Sequence, residues 1–323
     1  MVGASSFSHM ARRSARSSIP RSFRRTKAFV VANVLVWAAI GVWFLVQPAE
    51  RQADVARLVR NAFDARKEVT AFDVAWDLWQ FHASDDFAPG VAGGDRTHLY
   101  GGAPLARESV RVLVNTGYVV GYSEALGLPL WAAYRAADGD FGETPPRPDS
   151  FVVDARTSAR IDPADYTRSG YDRGHLAPNH AIALRHGRRG QEETFLMSNI
   201  VPQRHALNAG AWQALERRVA ANYPGRFGEV WVIAGPVLGE RPPRLRGRVA
   251  VPEAFFMIIL DESSGRVRAQ AFLFPQDTPG DAAPAAHLTS IDEIERRTGL
   301  DVLHELADDA EAALESRRGS RVW

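Results

Sequence analysis

The sequence predicts an α+β protein, a mixed or antiparallel central sheet flanked by helices, with a single transmembrane helix ahead of it. Three observations carry that expectation. β-Branched and aromatic runs of strand length begin at residue 110 and are separated by turn residues. Apolar residues recur at helical spacing before and after those runs. An unbroken apolar stretch occupies residues 28–46, close to the roughly 20 residues that span a bilayer.

Taken in order, residues 1–27 form a basic leader, with Arg12, Arg13, Arg16, Arg21, Arg24, Arg25 and Lys27 and no acid. From Ala28 to Val46 the only strongly polar residue is Asn33, which reads as an uncleaved signal anchor. The positive flank stays cytoplasmic and sends the rest across. In a bacterium that means the periplasm or exterior; the leader fits a mitochondrial import signal equally, with the domain facing the intermembrane space.

Residues 50–82 carry Val55, Leu58, Val59, Ala62, Phe63, Val69, Phe72, Trp76 and Trp79 at helical spacing. The expectation is one long juxtamembrane amphipathic helix with a break near residues 68–70, and Arg66 interrupts any heptad. Residues 83–104 are glycine-rich and read as a linker, leaving 105–316 as the main domain. Within it, residues 110–114 and 118–122 flank Asn115, Thr116 and Gly117 as a hairpin, and 130–135 and 150–153 read as further strands. Residues 230–234, 254–260 and 267–274 are apolar runs of strand length, 242–251 a loop, and 291–298 and 302–314 helices parted by Gly299.

Among the 323 residues there is no cysteine, which excludes disulfides, thiolate metal sites and cysteine nucleophiles. The net charge of +1 conceals a segregation. Residues 147–250 hold sixteen Lys/Arg against ten Asp/Glu, and 251–323 hold seven against fourteen. Positive charge therefore gathers where a polyanion would be drawn.

In that basic segment Asp172, Arg173, Gly174 and His175 are consecutive, and Asn208 stands just ahead of a helical pattern that contains Glu216. These residue types suit phosphodiester cleavage. A neutral imidazole takes a proton from water near neutral pH. A guanidinium holds phosphoryl oxygens bidentately, and an amide oxygen with a nearby carboxylate suits a hard, hydrated cation. If residues 172–175 are extended, Arg173 and His175 share one face and Asp172 points away. Read locally, Asn208 is equally a helix N-cap, Glu216 lies roughly two turns further along that helix, and Asn199 supports the loop or the site. A zinc site built from His175 with His180, His186 and His205 finds no supporting motif. Arg185, Arg188, Arg189 and Arg204 either grip a nucleic-acid backbone or form a solvated turn.

The string YDRGHLAP at residues 171–178, TFLMSNIVPQ at 194–203, and then Leu207, Asn208, Trp212, Leu215 and Glu216 together resemble the DNA/RNA non-specific endonucleases, the ββα-metal nucleases that include endonuclease G. The opening strands, YVVGYSEALGLPLWAAY, are similar as well. The resemblance implies a ββα-metal motif in residues 105–316 and sequence-non-specific hydrolysis of DNA and RNA to 5′-phosphate products. It implies His175 as general base, Arg173 as transition-state and substrate contact, Arg204 as a further substrate contact and Asn208 as ligand of Mg²⁺, with Mn²⁺ the alternative. Glu216 would hold metal-bound water, and a homodimer is common. It also calls for an upstream arginine on the substrate, for which Arg147 and Arg156 are both available. Two rivals stand beside this reading: a catalytically silent membrane-tethered nucleic-acid-binding protein, and a phosphodiesterase with another substrate.

Overall fold

A computed structural model of the chain describes residues 21–83, 86–90, 97–263 and 265–323. Arg12, Arg13 and Arg16 of the leader, and Gly93 and Gly94 of the expected linker, lie outside them. The chain forms two compact units, Met1–Gln52 and Ala53–Trp323.

The first unit is built on helix α1, Arg21–Leu45, and here the sequence reading is corrected. Among the described residues no helix is long and apolar enough to cross a membrane. The transmembrane helix over residues 28–46 falls on that finding. So does the single-pass localisation drawn from it, periplasmic or mitochondrial.

The expected single helix over residues 50–82 is two, α2 Ala49–Asn61 and α3 Ala71–Ala83. A 3₁₀ turn at Ala65–Lys67 separates them and ends on Glu68 in the left-handed region at φ 52°. From Ala53 onward this segment belongs to the second unit. Asp77 receives a bidentate, buried ion pair from Arg226 at 2.7 and 2.8 Å, and Asn61 donates to the Gly225 carbonyl at 2.8 Å. Breaking such a buried pair from one side costs about 3–5 kcal/mol, so α3 is firmly held.

The core of the second unit is an eight-stranded sheet. Its strands are β1 Ala88–Pro89, β2 Arg111–Val114, β3 Val119–Ser123, β4 Leu128–Ala137, then β7 Glu229–Val237, β8 Ala254–Ser263, β9 Arg266–Pro275 and β10 Leu288–Thr289. A separate two-stranded ribbon supplies β5 Asp172–His175 and β6 Ile200–Gln203. The main order is β1-β9-β8-β7-β4-β3-β2, with β10 beside β9, and every pairing in it is antiparallel. The β2–β3 hairpin closes where Asn115 N–H donates to the Tyr118 carbonyl at 2.9 Å. The strand expected at 150–153 is reduced to a single bridge, Val152 with Leu196, because the chain turns at once around Asp154 to let Arg156 fold back on its carboxylate.

Both faces of the sheet are covered, which is why β7 and β8 read as continuous apolar runs. On one face Phe255, Met257 and Ile259 pack with Trp212, Leu215 and Tyr223. On the other Phe256, Ile258 and Leu260 pack with Ile291, Ile294 and Leu314. Each such buried aromatic or aliphatic side chain contributes about 1.5–3 kcal/mol. The helix at Ile291–Thr298 forms as expected and stops on Gly299 in the left-handed region at φ 70°. The next one is shorter than its apolar pattern, Asp308–Glu315, since Leu303 at φ 61° turns the chain first.

Candidate active site

Strand β5 holds Asp172, Arg173, Gly174 and His175 against β6, with Gly174 opposite Val201 and His175 opposite Ile200. Gly174 is required there: a Cβ would stand 2.1 Å from Gln203 Oε1. The extended backbone puts Arg173 and His175 on the same side, and both line one cavity of about 720 Å³. Helix α4, Asn179–Thr194, starts at its rim with Asn179 and His180, and the helical run over residues 205–227 closes the far wall with Asn208, Gln213, Glu216 and Arg217. Antiparallel ribbon followed by helix is the ββα arrangement.

His175 sits between Phe151 and Phe195, ring centroids 5.4 and 5.1 Å away. Its Nε2 is shielded and has no hydrogen-bond partner. Burial, aided by the positive charge of Arg147, lowers its pKa to about 3, so the ring is neutral at pH 7. Asn179 Oδ1, on the same wall, is buried and unpartnered as well. Unpaired buried acceptors are costly and mark a place where a ligand's donors fit.

Arg173 is fixed by two hydrogen bonds to the Pro163 carbonyl, at 2.6 and 3.2 Å, and lies 5.6 Å over the Phe151 ring. Arg147 lies 5.0 Å over Phe195 and also lines the cavity. Arg156, the other upstream candidate, is spent elsewhere: it pairs with Asp154 at 2.6 Å and bonds the Val114 carbonyl and Asn115. Geometry thus brings Arg147, and not Arg156, to His175.

Asn208 is helical, at φ −59° and ψ −47°, and follows the turn His205–Leu207. It is no N-cap. Its Nδ2 donates to Asp172 Oδ2 at 3.0 Å, and His205 Nδ1 meets the same oxygen at 2.8 Å. With the amide nitrogen engaged, Oδ1 is left as the free donor atom of Asn208. The helix is irregular here: a π turn over Asn208–Trp212 is distorted at Gly210, where a Cβ would lie 2.3 Å from the Gly280 Cα. Such turns occur often at functional sites.

Glu216 is half-buried and its pKa is pushed up to about 8 by desolvation, while Trp212 Nε1 donates to its Oε1 at 2.9 Å. Beneath it the Tyr134 hydroxyl is buried without a partner, and the negative charge of Glu216 adds to what burial does to raise that phenol.

The remaining sequence candidates lie off this site. Arg204 is outside the cavity, 5.8 Å over the Tyr171 ring. Arg185 bonds the carbonyls of Ala137, Ala181 and Ala220. Arg188 and Arg189 pair with Glu192 and Glu193. Asn199 ties its own loop together through Ala177 and Thr194. His186 and His205 are outside the cavity, and His180 stands at its rim without forming a ligand cluster with His175; among the described residues the one cluster of metal-type ligands is Asp292, Glu295 and Glu315. Arg217, on the cavity wall, went unremarked in the sequence, although its position directly after Glu216 was a signal for it.

The family profile described as DNA/RNA non-specific endonuclease matches residues 96–309. A nuclease of Serratia marcescens is 31% identical over 237 residues, covering 68% of this chain and 84% of that protein. A nuclease of a Nostoc species is 28% identical over 218 residues, covering 64% and 78%. Human mitochondrial endonuclease G is 31% identical over 202 residues, covering 57% and 66%. Among solved structures, the crystal structure of an EndoG/EndoGI complex contains a chain similar to this one at a TM-score of 0.54 and 25% identity, over 62% of this chain and 88% of that one.

Proposed function

The chain belongs to the DNA/RNA non-specific endonuclease family, a phosphodiester-hydrolysing endonuclease, and from that premise we propose that the cavity around His175 and Asn208 is its catalytic centre. The observation that carries the reading is the convergence, on one basic cavity, of an unpartnered imidazole nitrogen, four arginines and a carboxamide whose oxygen is uncommitted. Residues 105–316 are the catalytic domain in this reading.

The residues present fit a hard divalent cation. Asp172 fixes the amide nitrogen of Asn208, which leaves Oδ1 as a neutral oxygen ligand of the kind Mg²⁺ or Mn²⁺ accepts among waters and phosphate oxygens. Bound there, the cation would supply charge neutralisation at the phosphate. The protein's own steps follow from its side chains. Arg173 and Arg147 clamp the non-bridging oxygens of the phosphodiester and face the charge that grows in the pentacoordinate transition state. His175 Nε2 takes the proton of a water whose oxygen bonds to phosphorus, the bond to O3′ breaks, and a 5′-phosphate is left. A pKa near 3 makes His175 a weak base in the free protein, and the negative phosphodiester offsets the Arg147 field and raises it. Glu216 keeps its proton at pH 7; a cation bound nearby would favour its carboxylate, which would then order water. Phosphate contacts carry no base information, in keeping with cleavage of both DNA and RNA. A homodimer belongs to the same proposal.

The test is plasmid nicking by the purified full chain in Mg²⁺, in EDTA and with His175→Ala. Activity is expected to vanish in EDTA and to fall at least about a thousandfold in the variant, the scale of a general base. Nicking by His175→Ala within tenfold of wild type would overturn the assignment.

A further inference from the structure

On the face of the sheet opposite the cavity, the helices Ile291–Thr298 and Asp308–Glu315 pack on a shared core of Ile291, Ile294, Ala310 and Leu314. Asp292 and Glu295 stand one turn apart on the first helix, and Glu315 is the last residue of the second. One carboxylate oxygen from each lies within 4.8 Å of the other two. Acidic residues crowd on many surfaces without consequence, and proximity by itself would carry nothing.

Glu315 supplies the second observation. It is only 8% exposed, and its Oε1 is buried with no hydrogen-bond partner. Among the described residues no lysine or arginine pairs with any of the three carboxylates. Arg296 and Arg297, on the same helix as two of them, are committed to Glu293 and Glu253. Glu311 and Asp301 deepen the negative field at Glu315. Glu295 is held in place by the Val302 N–H, which donates to its Oε1 at 2.7 Å. A buried, undonated carboxylate oxygen beside two further carboxylates is expensive unless a proton or a cation is shared among them.

We propose that Asp292, Glu295 and Glu315 bind a divalent cation such as Ca²⁺, which fastens the two C-terminal helices to each other. The all-oxygen donor set selects a hard cation. Asp292 is exposed, leaving a side open for the waters that complete the cation's coordination. None of the three lines the cavity of His175 and Asn208, so the ion acts on stability and leaves cleavage alone.

The experiment uses the full chain carrying Asn208→Ala, which takes away the cavity's amide ligand. Titration calorimetry with CaCl₂ and with MgCl₂ is paired with thermal melts. One divalent cation per chain is expected, with a rise in Tm on the order of 5 °C at saturation. Adding Glu315→Gln, or separately the exposed Asp292→Asn, is expected to weaken Ca²⁺ binding at least about tenfold. In the otherwise wild-type chain each leaves nicking in saturating Mg²⁺ within about twofold. The proposal is overturned by an Asn208→Ala chain that binds neither Ca²⁺ nor Mg²⁺, or by binding that both further substitutions leave intact.

Discussion

Strand β8 sends Phe255, Met257 and Ile259 to one face of the sheet and Phe256, Ile258 and Leu260 to the other, and all six are fully buried. In apolar packing the two faces are equals. Their polar groups are not. One face carries Arg147, Arg173 and Arg217 around a cavity with an unpartnered His175; the other carries Asp292, Glu295 and Glu315 between two helices. Hydrophobic burial builds the sandwich without choosing a working side, and that choice falls to a few polar residues whose desolvation the packing has already imposed.

Substitutions separate the faces by what they change. After His175→Ala, the next largest loss is expected from Asn208→Ala: about a hundredfold in nicking rate, with a raised Mg²⁺ requirement and Tm within about 2 °C of wild type. Rate against Mg²⁺ concentration measures it, and an unchanged Mg²⁺ curve would remove Asn208 from the site. Arg147→Ala should cost about tenfold in kcat/KM. Arg156→Ala should instead lower stability, because Asp154 is then left buried without its guanidinium. Steady-state kinetics and melts on the two variants distinguish these outcomes, and equal kinetic losses would blur the distinction drawn between them.

The smallest effect is a pH dependence with opposite signs at two residues of one cavity. Glu216 keeps its proton up to about 8 in the fold while the unfolded chain releases it near 4.5, so its contribution to stability is greatest below pH 4.5 and is lost as pH rises through 8. His175, lowered to about 3, contributes above its ordinary 6.5 and loses that as pH falls through 3. Melts from pH 4 to 9 should therefore show Glu216→Gln gaining on wild type toward alkaline pH and His175→Gln gaining toward acid, each on the order of 3 °C. Parallel curves for wild type and both variants would mean that neither side chain is desolvated as described.

Much of this was legible in the chain. Alternation and turn residues located the hairpin around Asn115 and the long strands β7 to β9, because strand pairing follows local pattern when both faces are buried. Arg173 and His175 were readable as neighbours since two residues on one strand must share a side. What failed did so where local pattern competes with tertiary geometry. The apolar stretch at residues 28–46 was weighed on length and composition, and no described helix meets the requirement for crossing a membrane. Asn208 looked like a cap because the helix start was placed four residues late; its side chain turned out to answer to Asp172, on a strand far away in sequence. Arg147 and Arg156 were indistinguishable until the fold showed which one Asp154 had already claimed.

By itself, then, the sequence determined the family, the antiparallel strands and the residue types of a phosphodiester site, since each is written in contiguous or periodic positions. Tertiary structure alone decided which arginine reaches the cavity, that Asp172 orients Asn208, and that burial holds His175 neutral and Glu216 protonated. Those depend on desolvation and on distances between segments remote along the chain, and neither quantity has a local signature.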